Sequence, residues 1–278
     1  LGSAAGGGFP QWNCSCPGCR NVRTGEPSVR ARTNDSLAVS PDGKAWCLLN
    51  AGPDVCQQIG SHVALHPDSP VRGSPIVGVL LTDAELDHTL GLLQLRQGAE
   101  LDVYATAPVH RALAGPFPVR QLLEPYAEIR WSTVTPGESF PLFGGQLTID
   151  PIFLGCKPPR YVSAGQPSEE EAWVIGYRVA DQATGGVIVY APGVESWSPA
   201  LETQLDGADC LFFDGAFWQA DELRVMDVSE LDAADMGHLP VAGPNGSAER
   251  PAARCTSTST TRTRCWMSVR RRTAVSER

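Results

Sequence analysis

The 278-residue chain has no apolar run approaching 18 residues, so no segment reads as a membrane-spanning helix. It has no basic excess. Lys and Arg number 22 against 31 Asp and Glu, a formal net charge of −9, which argues against a phosphate-backbone binder and so against nucleic acid as a partner. It opens on no charged segment followed by an apolar stretch, so no secretory signal is read and a cytoplasmic location is expected. Histidine is scarce, at five residues. Cysteine is not, but nine is an odd number and three of them crowd into six positions, which disfavours a disulfide scaffold. The rest is ordinary for a folded chain: 42% hydrophobic and 19% charged residues suffice for one large domain or two small ones.

The chain opens at Leu1 in a glycine-rich stretch, with Gly2, Gly6, Gly7 and Gly8 close together. This reads as the turn after a first strand that the chain lacks, serving either as a tight loop or as a binding loop. Asp42-Gly43, between apolar segments at 36–39 and 45–50, signals a hairpin. The run 76–81 is apolar throughout and reads as a strand buried on both faces. A short helix is expected over 90–96 and a strand over 101–105. A helical stretch over 109–123 should break at Pro116 and Pro118. Further strands are expected at 147–154, 173–179, 185–191 and 210–214. These amount to about eight to ten strands with helices between them, an α/β chain.

Two clusters carry metal-ligand chemistry. Cys14, Cys16 and Cys19 surround Pro17-Gly18, a knuckle that can aim three soft thiolates at one point. Such donors select Zn2+, which takes four tetrahedral ligands, so a structural zinc with a fourth donor from elsewhere is expected. The second cluster follows the buried strand: Asp83, Glu85, Asp87, His88, Gly91 and Leu92. Asp87, His88, Gly91 and Leu92 resemble the end of the metallo-β-lactamase motif His-x-His-x-Asp-His-x-x-Gly-Leu, with Asp83 and Glu85 in place of the first two histidines. Five histidines are too few for that superfamily's two-zinc hydrolytic site. A single metal on Asp87, His88 and one further ligand is expected instead. Asp83 and Glu85 are then candidates to hydrogen-bond and orient the ligating imidazole. His62 and His66 lie in a Pro/Ser-rich loop and read as surface residues. His110 reads as part of a solvated helix face. His238, in Met236-Gly-His-Leu239, reads either as a pocket residue or as part of a helix-capping neighbourhood.

The glycine-rich opening through Cys14, the cysteine knuckle, Asp87-His88-Thr-x-Gly-Leu-Leu-x-Leu-Arg96, Tyr190-Ala-Pro-Gly193 and Met236-Gly-His-Leu239 together resemble the coenzyme PQQ synthesis protein B family. The resemblance covers residues 1–250. It implies a metallo-β-lactamase-like αββα sandwich, here lacking its first strand, and a role in pyrroloquinoline quinone (PQQ) biosynthesis. It further implies an iron-dependent, oxygen-using hydroxylation of the tyrosine-derived ring of a peptide-derived intermediate. The implied site has Fe2+ or another divalent ion on Asp87 and His88, with His238, Asp83 and Glu85 as catalytic neighbours. The implied partners are the peptide-derived precursor and other PQQ biosynthesis proteins; a homodimer is allowed, though the sequence itself does not specify the oligomer. A carrier of PQQ or its precursor toward the periplasm is the alternative.

Residues 251–278 depart from that pattern and read as an aberrant, disordered tail. From Ala252 onward the chain holds seven Arg and one Glu, and 255–264 has no apolar periodicity. Cys265-Trp266-Met267 requires the codons TGY-TGG-ATG, and one shifted frame reads them as Leu-Asp. The same shift over 254–264 is compatible with the His-Ile-Asn-Asn-Thr-Asn-Pro-Val, with Ile before its His, that follows the last apolar strand of the family. A frame error between about Gly246 and Arg254 is therefore expected. Its cost is one imidazole, the natural third metal ligand, whose place Ser257 and Thr258 occupy. The chain as written should then be inactive or poorly folded. Sequencing the gene across this stretch is the check: the expected outcome is a one-base lesion, and an intact frame encoding the Thr/Ser/Arg tail ends the reading.

Overall fold

The computed structural model describes residues 1–68, 71–97, 100–162, 171–244 and 246–250. The tail, with Ser257, Thr258 and everything expected of the shifted frame, lies outside the described residues. Helix α1 (Pro17–Arg23) starts within the cysteine knuckle, with Pro17 at its first turn, where a missing N–H costs nothing. Strands β1 (Leu37–Val39) and β2 (Trp46–Leu49) pair antiparallel, as the Asp42-Gly43 signal predicts. Gly43 takes φ 74° there, and Asp42 Oδ1 accepts the Lys44 amide at 2.8 Å.

Next come α2 (Val55–Ser61), β3 (Ile76–Leu80), α3 (Leu86–Thr89), β4 (Glu100–Ala105), α4 (Ala107–Ala114), α5 (Val119–Leu123) and β5 (Glu128–Thr133). Strands β1 to β5 form one sheet in that order, with β2 to β5 parallel and joined by helical crossovers. The second half contributes β6 (Phe140–Leu142), β7 (Leu147–Gly155), β8 (Val174–Asp181), β9 (Val187–Ala191), α6 (Pro199–Leu205), β10 (Cys210–Phe213) and α7 (Glu222–Val225). Its sheet has the order β10-β9-β8-β7-β6 and is antiparallel except for the β9/β10 pair.

Side-chain alternation assigns the layers. On β2, Leu48 packs with Val55, Val109, Leu113 and Leu123 of the helices, while Cys47 and Leu49 face Ile149, Ile175, Tyr177 and Tyr190 of the other sheet. On β9, Val189 and Ala191 face Leu201 and Leu205 of α6, and Tyr190 faces inward. Helix, sheet, sheet, helix is the expected αββα sandwich. Each fully buried Leu in these layers contributes about 1.5–3 kcal/mol.

The helical stretch breaks between α4 and α5 around Pro116 and Pro118, as expected. The helix expected over 90–96 is instead two 3-10 turns, Leu90–Leu93 and Leu95–Gln97. The sequence reading also missed β5. Its charged residues mask the pattern, because Arg130 reaches across to Glu100 at 2.7 Å and Asp102 at 2.6 Å on β4. Among the described residues no helix is long and apolar enough to cross a membrane.

Candidate metal centre and cavity

The second ligand cluster sits where β3 ends. Leu81 and Thr82 follow the strand in full burial, and the chain then turns at Asp83. Asp83 Oδ1 accepts the Glu85 amide at 2.9 Å, and Oδ2 accepts the Thr82 hydroxyl at 2.8 Å. That turn launches α3, which carries Asp87 and His88. Its seat needs glycine. A β-carbon on Gly91 would stand 2.3 Å from the Gly52 carbonyl oxygen, and one on Gly52 would stand 2.6 Å from that of Asp87. The two segments lock through Ala51 N–H to His88 O at 2.8 Å and Gly91 N–H to Ala51 O at 2.9 Å.

His88 Nδ1 lies 2.8 Å from both oxygens of Asp83. A carboxylate only accepts, so Nδ1 carries the hydrogen and Nε2 is left for a ligand. Nε2 stands 3.8 Å from Asp87 Oδ2. Burial works against charge on the ring, but Asp83 and Asp87 outweigh it and carry the imidazolium up to about 10. Burial likewise opposes the Asp83 charge, yet the ring, the Glu85 amide and the Thr82 hydroxyl hold that carboxyl below its usual range. At Glu85 the opposing attraction of His88 and Lys157 is the weaker influence. Burial, then Asp83 and Asp87, push it up to about 7.

His238 also enters this cavity. Its Nδ1 donates to Asp214 Oδ2 at 2.7 Å, and the same oxygen accepts the Val194 amide at 2.9 Å. Asp214 Oδ1 accepts the Ala216 amide at 2.9 Å. Burial lowers the His238 affinity for protons, but Asp214 overcomes this and the net shift is upward. The cavity holds about 510 Å³, within the usual range for small-molecule sites. Asp83, Glu85, Asp87, His88 and His238 all line it. The glycine-rich opening contributes Ala5 and Gly6, and a β-carbon on Gly6 would come 3.2 Å from Asp87 Oδ2.

Two of the remaining histidines, His62 and His66, are exposed, as expected. His110 is a correction. It lies 8% exposed on α4, with Nε2 at 3.0 Å from the Ser132 carbonyl and its ring against Trp131, so it belongs to packing and not to a solvated face.

The cysteine knuckle is a separate group. The sulfurs of Cys14, Cys16 and Cys19 lie within 4.8 Å of one another. Backbone amides turn toward them, Cys16 N–H to Cys14 Sγ at 3.4 Å and Cys19 N–H to Cys16 Sγ at 3.5 Å. Burial and the neighbouring thiols push Cys19 up to about 12. A cation that offsets the gathered negative charge fits this donor set, and it would need one ligand more. Among the described residues this is the one group of at least three acidic, Cys or His donors drawn that close. The Asp87–His88 pair offers two donors and fits an ion completed from elsewhere.

The sequence reading missed Asp214, Asp35, Lys157 and Arg160. Asp214 follows an apolar strand directly, as Asp83 does, and that signal could have found it. Asp35 is 2% exposed and lines the cavity. Its Oδ2 accepts the Tyr190 hydroxyl at 2.5 Å, while Oδ1 is buried with no partner among the described residues. Burial pushes its carboxyl up to about 6 against that hydrogen bond.

The chain matches the Beta-lactamase superfamily domain over residues 45–257. It is 40% identical to coenzyme PQQ synthesis protein B of Methylococcus capsulatus over 258 residues, covering 90% of this chain and 83% of that one. It is 42% identical to the protein of the same name from Cupriavidus taiwanensis over 261 residues, covering 90% and 82%. The 1.98 Å crystal structure of Zn(2+)-bound PqqB from Methylobacterium extorquens superposes with a TM-score of 0.85 at 32% identity, over 94% of this chain and 88% of that one. A diphosphatase of the PhnP family shares the fold, with a TM-score of 0.62 at 21% identity over 94% and 84%.

The Asp35 carboxyl generates a stability prediction. Its folded value, about 6, stands above the ordinary value of 3.8 expected in the unfolded chain, so between those values the folded state holds the proton that the unfolded chain has released. Stability therefore falls as pH rises through that window, by about 3 kcal/mol at most from this group. Urea denaturation from pH 4 to 7 should show that this component of the slope vanishes in Asp35→Asn. An unchanged slope refutes the assignment.

Proposed function

The chain belongs to the coenzyme PQQ synthesis protein B family of the β-lactamase superfamily, and on that premise we propose that its line acts in pyrroloquinoline quinone biosynthesis as an iron-dependent oxygenase. The substrate is the tyrosine-derived ring of a peptide-derived intermediate, and the product is the ring with a hydroxyl in place of one hydrogen. One oxygen atom enters the ring. The other leaves as water, which requires two protons and two electrons from an external reductant. The observation that carries this reading is the Asp83–His88 contact at 2.8 Å, which leaves one imidazole nitrogen beside the Asp87 carboxylate at the wall of a substrate-sized cavity.

Asp87 and His88 would hold the ion, and a further imidazole from the frame-corrected tail would complete two histidines and one carboxylate. That donor set leaves open positions on Fe2+ for dioxygen and substrate. The chain's own groups perform the rest. Asp83 holds the His88 tautomer and ring plane. Asp214 does the same for His238, whose Nε2 is the remaining ring nitrogen in a cavity that needs a proton donor. Glu85 is a second proton-holding group in the same wall. The Cys14, Cys16 and Cys19 knuckle holds a structural Zn2+. The cytoplasm, the other PQQ biosynthesis proteins and a homodimer remain part of the proposed setting.

Scarcity of imidazole separates this reading from a two-zinc hydrolase, since His88 and His238 are the only histidines lining the cavity among the described residues. Metal analysis and oxygen uptake test it together. The chain as written should retain one zinc per chain, and Cys16→Ser should lose it while His88→Ala keeps it. The frame-corrected chain should bind one further equivalent of iron and consume oxygen with a tyrosyl peptide substrate. His88→Ala should reduce that rate by at least 10³-fold and His238→Gln by 10²–10⁴-fold, the usual range for a lost proton donor. Ligand binding without oxygen uptake by the iron-loaded, frame-corrected chain would sink the oxygenase and favour a carrier.

A further inference from the structure

Past β7 the chain runs Cys156-Lys-Pro-Pro-Arg-Tyr161, and this segment forms one wall of the cavity. It is pinned along its length. The Cys156 amide donates to Glu195 Oε2 at 3.0 Å, and the Tyr161 hydroxyl donates to the Ala84 carbonyl at 2.6 Å. The Tyr161 ring meets Phe117 edge-on at 5.8 Å. Between these pins, Pro158 and Pro159 fix two successive φ angles. Extended proline-rich backbone turns once every three residues, so positions 157 and 160 fall on one side. Both line the cavity.

Neither cation is held in a salt bridge among the described residues. Among the described residues no carboxylate lies within 4.0 Å of Lys157 or Arg160. Lys157 is half-buried, and its one hydrogen bond there is from Nζ to the Asp235 carbonyl at 2.9 Å. Its stem lies along the 236–238 segment. Gly237, at φ 79°, makes room, since a β-carbon there would stand 3.0 Å from Lys157 Cδ. Burial lowers the ammonium's affinity for its proton, against Glu85, Glu195 and Asp235, which raise it. A partly desolvated ammonium such as Lys157, with donors to spare, is costly unless a ligand completes it, while Arg160 stands exposed at the cavity's rim with its donors open to a ligand. The rest of that wall, Tyr161, Leu86, Val174 and Met236, suits an aromatic ring.

We infer that Lys157 and Arg160 form an anion subsite that binds a carboxylate of an aromatic, amino-acid-derived substrate and turns its ring toward Asp87 and His88. This inference rests on the oxygenase reading for the identity of the ring, but not for the binding of the carboxylate. Arginine supplies a planar fork matched to two carboxylate oxygens, and lysine supplies a point charge.

The test is equilibrium binding to the full chain, without iron or oxygen, of 3-(4-hydroxyphenyl)propionate and its carboxamide. The two probes match in shape and differ in charge. The acid should bind at least tenfold more tightly, with a preference that shrinks as salt is raised. Lys157→Gln/Arg160→Gln should abolish the preference, and Lys157→Arg should retain it. Circular dichroism and zinc content identify any variant that has failed to fold, and the conservative Lys157→Arg then decides. Equal binding of acid and amide to the unaltered chain, a preference that survives the double substitution, or binding of 4-methylphenyl phosphate with none of the acid overturns the subsite. Loss of oxygen uptake alone overturns the oxygenase reading and leaves these affinities where they are.

Discussion

One buried contact organises the cavity: the Asp83 carboxylate against His88 Nδ1 at 2.8 Å. Removing a carboxylate from water is expensive, and the cost is met only if its oxygens are satisfied. Here the Thr82 hydroxyl, the Glu85 amide and the imidazole satisfy them. The network continues inward. Asn50 accepts the Thr82 amide at 3.0 Å and donates to the Tyr190 hydroxyl at 3.2 Å, and Tyr190 donates to Asp35. Asn50 can do this because it takes φ 64°, a conformation asparagine tolerates better than most residues. A single chain of hydrogen bonds thus runs between the two sheets and ends at the cavity on both sides, at His88 and at Asp35.

A second constraint is close approach. Gly52 and Gly91 let α3 settle onto the turn after β2, so that His88 O accepts the Ala51 amide while the ring above it reaches Asp83. Alanine at either glycine would collide with backbone and not with a mobile side chain, so the seat cannot relax around it. This accounts physically for a glycine three positions after the histidine: without it α3 lifts, and Asp87 and His88 no longer share one wall.

Much of this was legible in the sequence where one physical signal dominated. The apolar run 76–81 and the polar cluster after it fixed the strand end that carries Asp83, Asp87 and His88. The knuckle spacing located three sulfurs that lie together in the structure. Pro116 and Pro118 located the helix break. What escaped was whatever depended on partners distant in the chain. His110 reads as solvated on its own helix, and only the crossing β5, with Ser132 and Trp131, buries it. Strand β5 itself was hidden by Arg130, a charge that serves cross-strand pairing. Asp214 lies 24 positions before His238, and no local pattern joins them. Lys157 is an exposed-looking cation until the segment past β7 and the 235–238 segment are brought together.

The knuckle lies apart from the cavity, yet the backbone connects them. Residues 2–9 run beside 32–36: Ala4 N–H to Thr33 O at 2.9 Å, Asp35 N–H to Ala4 O at 2.8 Å, Phe9 N–H to Arg32 O at 2.9 Å. Phe9, Ala4 and Cys19 pack in one small cluster, too small to hold a loop of glycines in place by burial alone. A cation on Cys14, Cys16 and Cys19 would anchor the far end of that loop. The near end puts Gly6 against Asp87 and sets Asp35 at the cavity wall. A metal with no part in the chemistry can therefore fix the position of two of the cavity's carboxylates, because the segment between them is too glycine-rich to fix itself.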